Sequence, residues 1–161
     1  MKPRLLIVVA ALVIAVAFVA WWMSPRQVVK RRTNSLLQTL TLDAGTGKLS
    51  RHAGEYRLDA LLAPQVELEN PSIAEANGTF DRGEMTAAFS WLCDQAKQTR
   101  FKTEDLHSIT INGDQAKVEL SLTALVELPT YSPADGSFEV VFDWIKTEDG
   151  WRLRKAVWKG K

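Results

Sequence analysis

The 161-residue chain has one cysteine and two histidines. A single cysteine, Cys93, closes no intramolecular disulfide, so the fold must rest on its core. On a helix-patterned stretch it reads as a small buried hydrophobe rather than a nucleophile. His52 and His107 are far apart and stand in no H-x-x-x-H or H-E-x-x-H spacing, and no Cys/His cluster has metal-ligand spacing. No metal and no cofactor is therefore expected. Internal repeats and low-complexity segments are absent too, which excludes a repeat architecture.

Net charge is also scarce, with 20 Lys+Arg against 19 Asp+Glu. The balance hides an asymmetry. Lys2, Arg4, Arg26, Lys30, Arg31 and Arg32 all lie near the start, and without them residues 33–161 hold 14 basic and 19 acidic side chains. A mildly acidic domain without a recognised nucleic-acid motif is not expected to bind nucleic acid. The basic cluster reads better as contact with anionic lipid headgroups.

What the sequence does have is one long apolar run. Leu5 to Met23, LLIVVAALVIAVAFVAWWM, is nineteen residues without a charge. As a helix it would cross a hydrocarbon core of about 30 Å, and Trp21 and Trp22 fall where an aromatic belt sits. A cleaved signal peptide is the alternative, with Ala15-Val16-Ala17 as a small-residue cleavage site, but the run continues to Met23 and exceeds the usual signal core. A retained anchor over 1–23 is expected, with membrane lipid as its partner through residues 5–23. A positive-inside count puts the C-terminal flank in the cytoplasm. A short basic tail before an apolar run is also the form of a single-pass signal-anchor, and on that reading, the one taken, the domain lies outside the cytoplasm.

Beyond the anchor, Ser24-Pro25 opens a helix with a first-turn proline, and Val28, Val29, Leu36, Leu37 and Leu40 fall on one side of it. DAGTGK ends it. A second helix is expected from about Leu49 to Leu62 with an inward stripe of Leu49, Ala53, Tyr56, Ala60 and Leu61, ended by Pro64. QVELE (65–69) alternates like a short strand. Asp81 and Glu84 have capping-box spacing, followed by Met85, Ala88, Phe89, Leu92 and Ala96 at helical spacing. The period then changes to two: 101–111, 115–127, 137–147 and 151–159 read as strands, with Asn112-Gly113 and Asp149-Gly150 as hairpin turns. Helices followed by long antiparallel strands make an α+β domain over 24–161.

Two-residue turns at those dipeptides fix which side chains share a face. Phe138, Val140, Phe142, Trp144, Trp151, Leu153 and Val157 fall on the face the helices cover. Val141, Ile145, Arg154 and Trp158 fall on the open one, where they would make an interface for a homodimer or another protein. Parity also places His107, Asp105 and Lys155 on the covered face. A pocket there would be lined by Tyr56, Phe89, His107, Phe142, Trp144, Trp151 and Lys155.

The helix entry NGTFDRGEMTAAFSWL, the hairpin ITINGDQAKVELSL and the closing EDGWRLRKAVW together resemble the nuclear transport factor 2-like superfamily over about residues 24–159. The resemblance implies a cone-like domain of about three helices packed on a curved, mainly antiparallel sheet. That superfamily includes ketosteroid isomerases, polyketide cyclases and dehydratases, and also non-catalytic members, among them membrane-anchored parts of secretion and import machines. The anchor-plus-one-domain layout is similar to the last group. The reading taken is a membrane-tethered, non-catalytic interaction, assembly or ligand-binding domain. The alternative is a small-molecule pocket enzyme of the isomerase or dehydratase type, in which His107 is the base, Asp105 orients it and Tyr56 donates a hydrogen bond.

Overall fold

Ser24 and Pro25 divide the apolar run from the domain. In the computed structural model, which describes residues 3–71 and 73–160 with side chains from Ile7 onward, α1 (Pro3–Trp22) stops there and α2 (Pro25–Leu40) begins with Pro25 in its first turn. The two axes bend by 55°. Lys2 and the side chain of Arg4, which enter the orientation argument, lie outside the described residues. The rest is α3 (Lys48–Asp59), β1 (Leu62–Glu69), a short 3-10 turn (Ala74–Ala76), β2 (Gly78–Asp81), α4 (Arg82–Gln95), β3 (Gln98–Asn112), β4 (Gln115–Glu127), β5 (Ala134–Thr147) and β6 (Gly150–Gly160).

The sheet runs β2-β1-β6-β5-β4-β3. Every pairing is antiparallel except β1 with β6, which is parallel. The domain is α+β, a curved six-stranded sheet with helices on one face, as expected. Two boundaries differ from expectation. The second helix ends at Asp59, not Leu62, and Pro64 lies inside β1, where the β1–β6 register is broken between Leu62 and Glu67. Proline donates no ladder hydrogen bond, so it sits where the ladder is interrupted. The four-residue β2 carries too little alternation to be read from sequence.

The capping box closes as its spacing predicts. The Glu84 amide donates to Asp81 Oδ1 at 2.8 Å, and the Asp81 amide donates to Glu84 Oε2 at 2.8 Å. This fixes the start of α4 and drives Phe89 and Cys93 inward, where burial pushes the Cys93 thiol up from its ordinary value.

Both hairpins lie one step from the expected register. Asn112 pairs with Gln115, so Gly113 takes the first loop position with φ +59°, the positive-φ place of a tight turn. At the last hairpin Thr147 pairs with Gly150, whose φ is +103°. These one-step shifts preserve facing. The bulges do not: β3 is irregular between Thr103 and Asp105 and again between Leu106 and Ser108, and β6 is irregular at Arg154, opposite Asp143 and Trp144. Each inserts one residue and swaps the faces beyond it.

Candidate functional site

The bulges overturn the expected pocket. His107, in the bulge after Leu106, points to the open face of the sheet together with Asp105, while Leu106 and Ile109 face the helices. Beyond the β6 bulge Ala156 and Trp158 turn inward, and Lys155 and Val157 turn outward to pair with Asp143 and Val141. Lys155 bonds Glu67 at 3.1 Å and also pairs with Glu69; the Glu69 bond, then Glu67, raises the ammonium above its ordinary value. Trp158, expected on the interface, instead meets Phe101 and Phe138 edge-on, with centroids 6.1 and 5.7 Å away. Val141 and Ile145 do lie on the open face, half-buried, and Arg154 is exposed in the bulge.

Tyr56 is not in a pocket either. It is 85% exposed, and Leu49, Ala53 and Ala60 of the same stripe face outward with it, while Leu61, past the end of the helix, is buried as expected. α3 buries Arg51, Gly54 and Leu58 instead. The other expected lining residues fill the cone: Phe89, Phe142, Trp144 and Trp151 keep 1–4% of their surface. A side chain beside a water-sized void would keep surface against it, so these four line a packed core.

What the open face brings together is a polar cluster. His107 Nδ1 is 3.2 Å from Asp105 Oδ2, and its Nε2 is 2.6 Å from Ser121 Oγ and 2.9 Å from Glu139 Oε2. The Ser121 hydroxyl donates to Glu139 Oε1 at 2.8 Å. Asp–His–Ser at these distances is the geometry of an activated nucleophile. The chemistry stops there. Ser121 is 4% exposed beneath the imidazole, and its hydroxyl already donates to Glu139 rather than to the histidine. Among the described residues no group of three or more His, Cys, Asp or Glu could hold a metal ion. Sequence reasoning paired Asp105 with His107 but missed Ser121 and Glu139, because the face assignment that brings them together depends on the bulge.

A second ionic cluster, unforeseen in the sequence, joins α3 to α4. His52 pairs through Nδ1 with Glu55 and through Nε2 with Asp94 at 3.2 Å, and Ser90 Oγ lies 3.5 Å from Nδ1. The bond to Glu55, then that to Asp94, raises the imidazole above its ordinary value, and His52 lowers both carboxylates. A raised histidine stabilises the fold fully below its unfolded value and loses that contribution as pH rises through the folded one. Lowered carboxylates contribute above their unfolded values and lose it as pH falls through the folded ones. Thermal unfolding should therefore be most resistant between about pH 4.5 and 6.5. His52→Asn should flatten the alkaline limb; an unchanged limb would remove His52 as its source.

At the other end of the domain, α1 is apolar on every side and uncovered. Its large side chains are exposed from 47% at Trp22 to 69% at Ile7. Arg31 on α2 donates to the Trp22 carbonyl at 2.8 Å and stacks 4.5 Å from its ring centroid. Among the described residues no single helix is long and apolar enough to cross a membrane, but Ile7–Trp22 and Pro25–Leu40 pass that test as a bent pair.

No family model matches the sequence, and no curated protein matches it. Solved structures do match. An NTF2-like protein from Cytophaga hutchinsonii is 18% identical, covers 86% of this chain and 100% of its own, and superposes with a TM-score of 0.64. A putative aromatic ring hydroxylase from Novosphingobium aromaticivorans is 8% identical over 84% of this chain and 87% of its own, with a TM-score of 0.66. The CaMKII hub of S. rosetta is 17% identical over 86% and 98%, with a TM-score of 0.58. The fold is therefore NTF2-like. At these identities the likeness carries the fold and no function.

Proposed function

We propose that the protein is a membrane-tethered, non-catalytic domain that works by contact through the open face of its sheet. The observation that carries this reading is α1, an exposed apolar helix that, among the described residues, only Arg31 of α2 touches from above Trp22. Such a surface is costly in water and favourable in lipid. The filled cone supports the non-catalytic half, because a pocket enzyme needs an open site and its expected acid–base groups lie elsewhere. On the open face, Val141, Val157 and Ile145 sit among rows of alternating charge. One row runs Glu67, Lys155, Asp143, Lys117, a pattern that a second copy turned around can meet with opposite signs.

The test uses the purified full chain in phosphatidylcholine vesicles. It should float with them after an alkaline wash and keep the mass of the uncleaved chain. Val9→Arg with Val13→Arg should release it, at about 2.5–3.5 kcal/mol for each arginine near the helix centre. Cross-linking in the vesicles should give a dimer that Val141→Glu weakens. A mature chain starting after Ala17, or a chain that washes off, overturns the tether; cross-linking indifferent to Val141→Glu overturns the contact face.

A further inference from the structure

Charge in this molecule is segregated. The first acidic residue of the chain is Asp43, so α2 has four cations and no carboxylate. Among the described residues, Arg26, Lys30, Arg31, Arg32 and Arg57 form no ion pair with a carboxylate. Three of these five guanidinium and ammonium groups converge. Val28, Arg31, Arg32 and Ser35 of α2 face Arg57 of α3 and Ala60 just past its end across a groove of about 520 Å³, with no acidic residue in its lining.

Each arginine has donors to spare. Arg31 uses one on the Trp22 carbonyl, Arg32 reaches the Ala60 carbonyl at 3.3 Å, and the Arg57 guanidinium makes no hydrogen bond among the described residues. Arg32 also lies near a like charge. Burial first, then Arg152, lowers its guanidinium from the ordinary value, and the opposite charge of a bound anion would offset both by favouring the charged form. Ser35 and Thr39 add hydroxyl donors, while Val28, Ala60 and Leu61 give the groove an apolar side.

Position selects the anion. Val28 and Arg31 lie in the first two turns of α2, and Arg31 touches the last residue of α1. We propose that this groove holds the phosphodiester of an anionic phospholipid, gripped by Arg31, Arg32 and Arg57, with the glycerol end against Val28 and Ala60. Guanidinium forks match phosphate oxygens in pairs. The headgroup layer beyond the hydrocarbon is about 5–7 Å thick on each side, which is the depth reached by the first turns of a helix leaving it. The site rests on the tether reading above. It differs from a diffuse basic collar in requiring particular arginines: Arg26 and Lys30 lie on another side of α2 and outside the groove.

The full chain is placed in nanodiscs of phosphatidylcholine with a minority of phosphatidylglycerol, released into detergent in 1 M salt, where the Debye length is about 3 Å, and weighed by native mass spectrometry. Wild type should retain phosphatidylglycerol over phosphatidylcholine. Arg31→Gln with Arg57→Gln should cut that retention by about fivefold per arginine, about twenty-five-fold for the pair, whereas Arg26→Gln with Lys30→Gln should leave it unchanged. Equal losses in the two pairs, or no preference in wild type, overturn the site. Displacement of the lipid by inorganic phosphate overturns the lipid as its ligand. Arg57 is exposed and unpartnered, so Arg57→Gln alone keeps the test open if the pair unfolds. Flotation on phosphatidylcholine alone reports α1 and separates a failed tether from a failed groove.

Discussion

Arg51→Met is expected to destabilise the domain by about 3–5 kcal/mol, from two or more charge-assisted hydrogen bonds lost at about 1.5–3 kcal/mol each. Arg51 is 8% exposed and sits where three segments end. Its Nη1 donates to the Ala96 carbonyl at 2.6 Å and to Cys93 at 3.4 Å; its Nη2 donates to the carbonyls of Asp43 and Lys97 at 2.8 Å each. Those carbonyls belong to the last turn of α4, the chain that follows it, and the loop after α2. The last turn of a helix leaves carbonyls without intrahelical partners. Here one guanidinium satisfies them from below and ties α4 to the α2–α3 loop. Methionine keeps most of the volume and removes every donor. Lysine keeps the charge, but one ammonium cannot span both sets of carbonyls as the planar fork does, so Arg51→Lys should recover only part of the loss. Urea unfolding of the full chain in a mild detergent measures this. A loss for Arg51→Met below about 1 kcal/mol, the ordinary range for a surface change, would mean that water satisfies the carbonyls and the clamp is ornamental.

Arg51 also explains why α3 packs with the face opposite to its apolar stripe. By apolar count the buried face should be Leu49, Ala53, Tyr56, Ala60 and Leu61, of which only Leu61 is buried. The helix instead turns its arginine inward, because the carbonyls at the end of α4 need donors. Gly54 makes the contact close enough: a Cβ there would lie 3.1 Å from two Phe89 ring carbons. A buried cation and a glycine carry no apolar signal, so a hydrophobic stripe points to the wrong side when polar groups decide the packing. The apolar run, the capping box, the hairpins and the inward β5 residues were legible because each is a local pattern. The faces of His107, Lys155 and Trp158 were not. Alternation is intact on either side of a bulge, and only the partner strand reveals the extra residue. The one bulge at His107 in β3 was enough to move the expected catalytic pair from inside the cone to outside it, and the bulge at Arg154 in β6 exchanged the faces of Lys155 and Trp158. Bulges also twist a long edge strand such as β3 away from stray pairing, which gives them a structural use independent of any site.

Trp144 tests the filled cone most directly. It is 1% exposed, pairs across the sheet with Ala116 and Leu153, and has the largest side chain in the fully buried set. Trp144→Ala should cost about 3–5 kcal/mol, the range for removing a large aromatic from a core that cannot collapse around the gap. Its Nε1 is buried without a hydrogen-bond partner among the described residues. An unpaired buried donor offsets part of what the ring contributes. Trp144→Phe discards that donor and keeps most of the ring contact, so its cost should fall well below that of alanine. The gap between the two variants is the informative quantity. If the cone held a ligand cavity beside Trp144, the alanine variant would only enlarge an existing space, and both losses would be small. If the cone is packed, Trp144→Ala creates a new apolar cavity, and benzene or indole should bind there and raise the unfolding midpoint of the variant while leaving wild type unmoved. A small aromatic that stabilises wild type equally would show an open cone and return the pocket-enzyme reading to consideration.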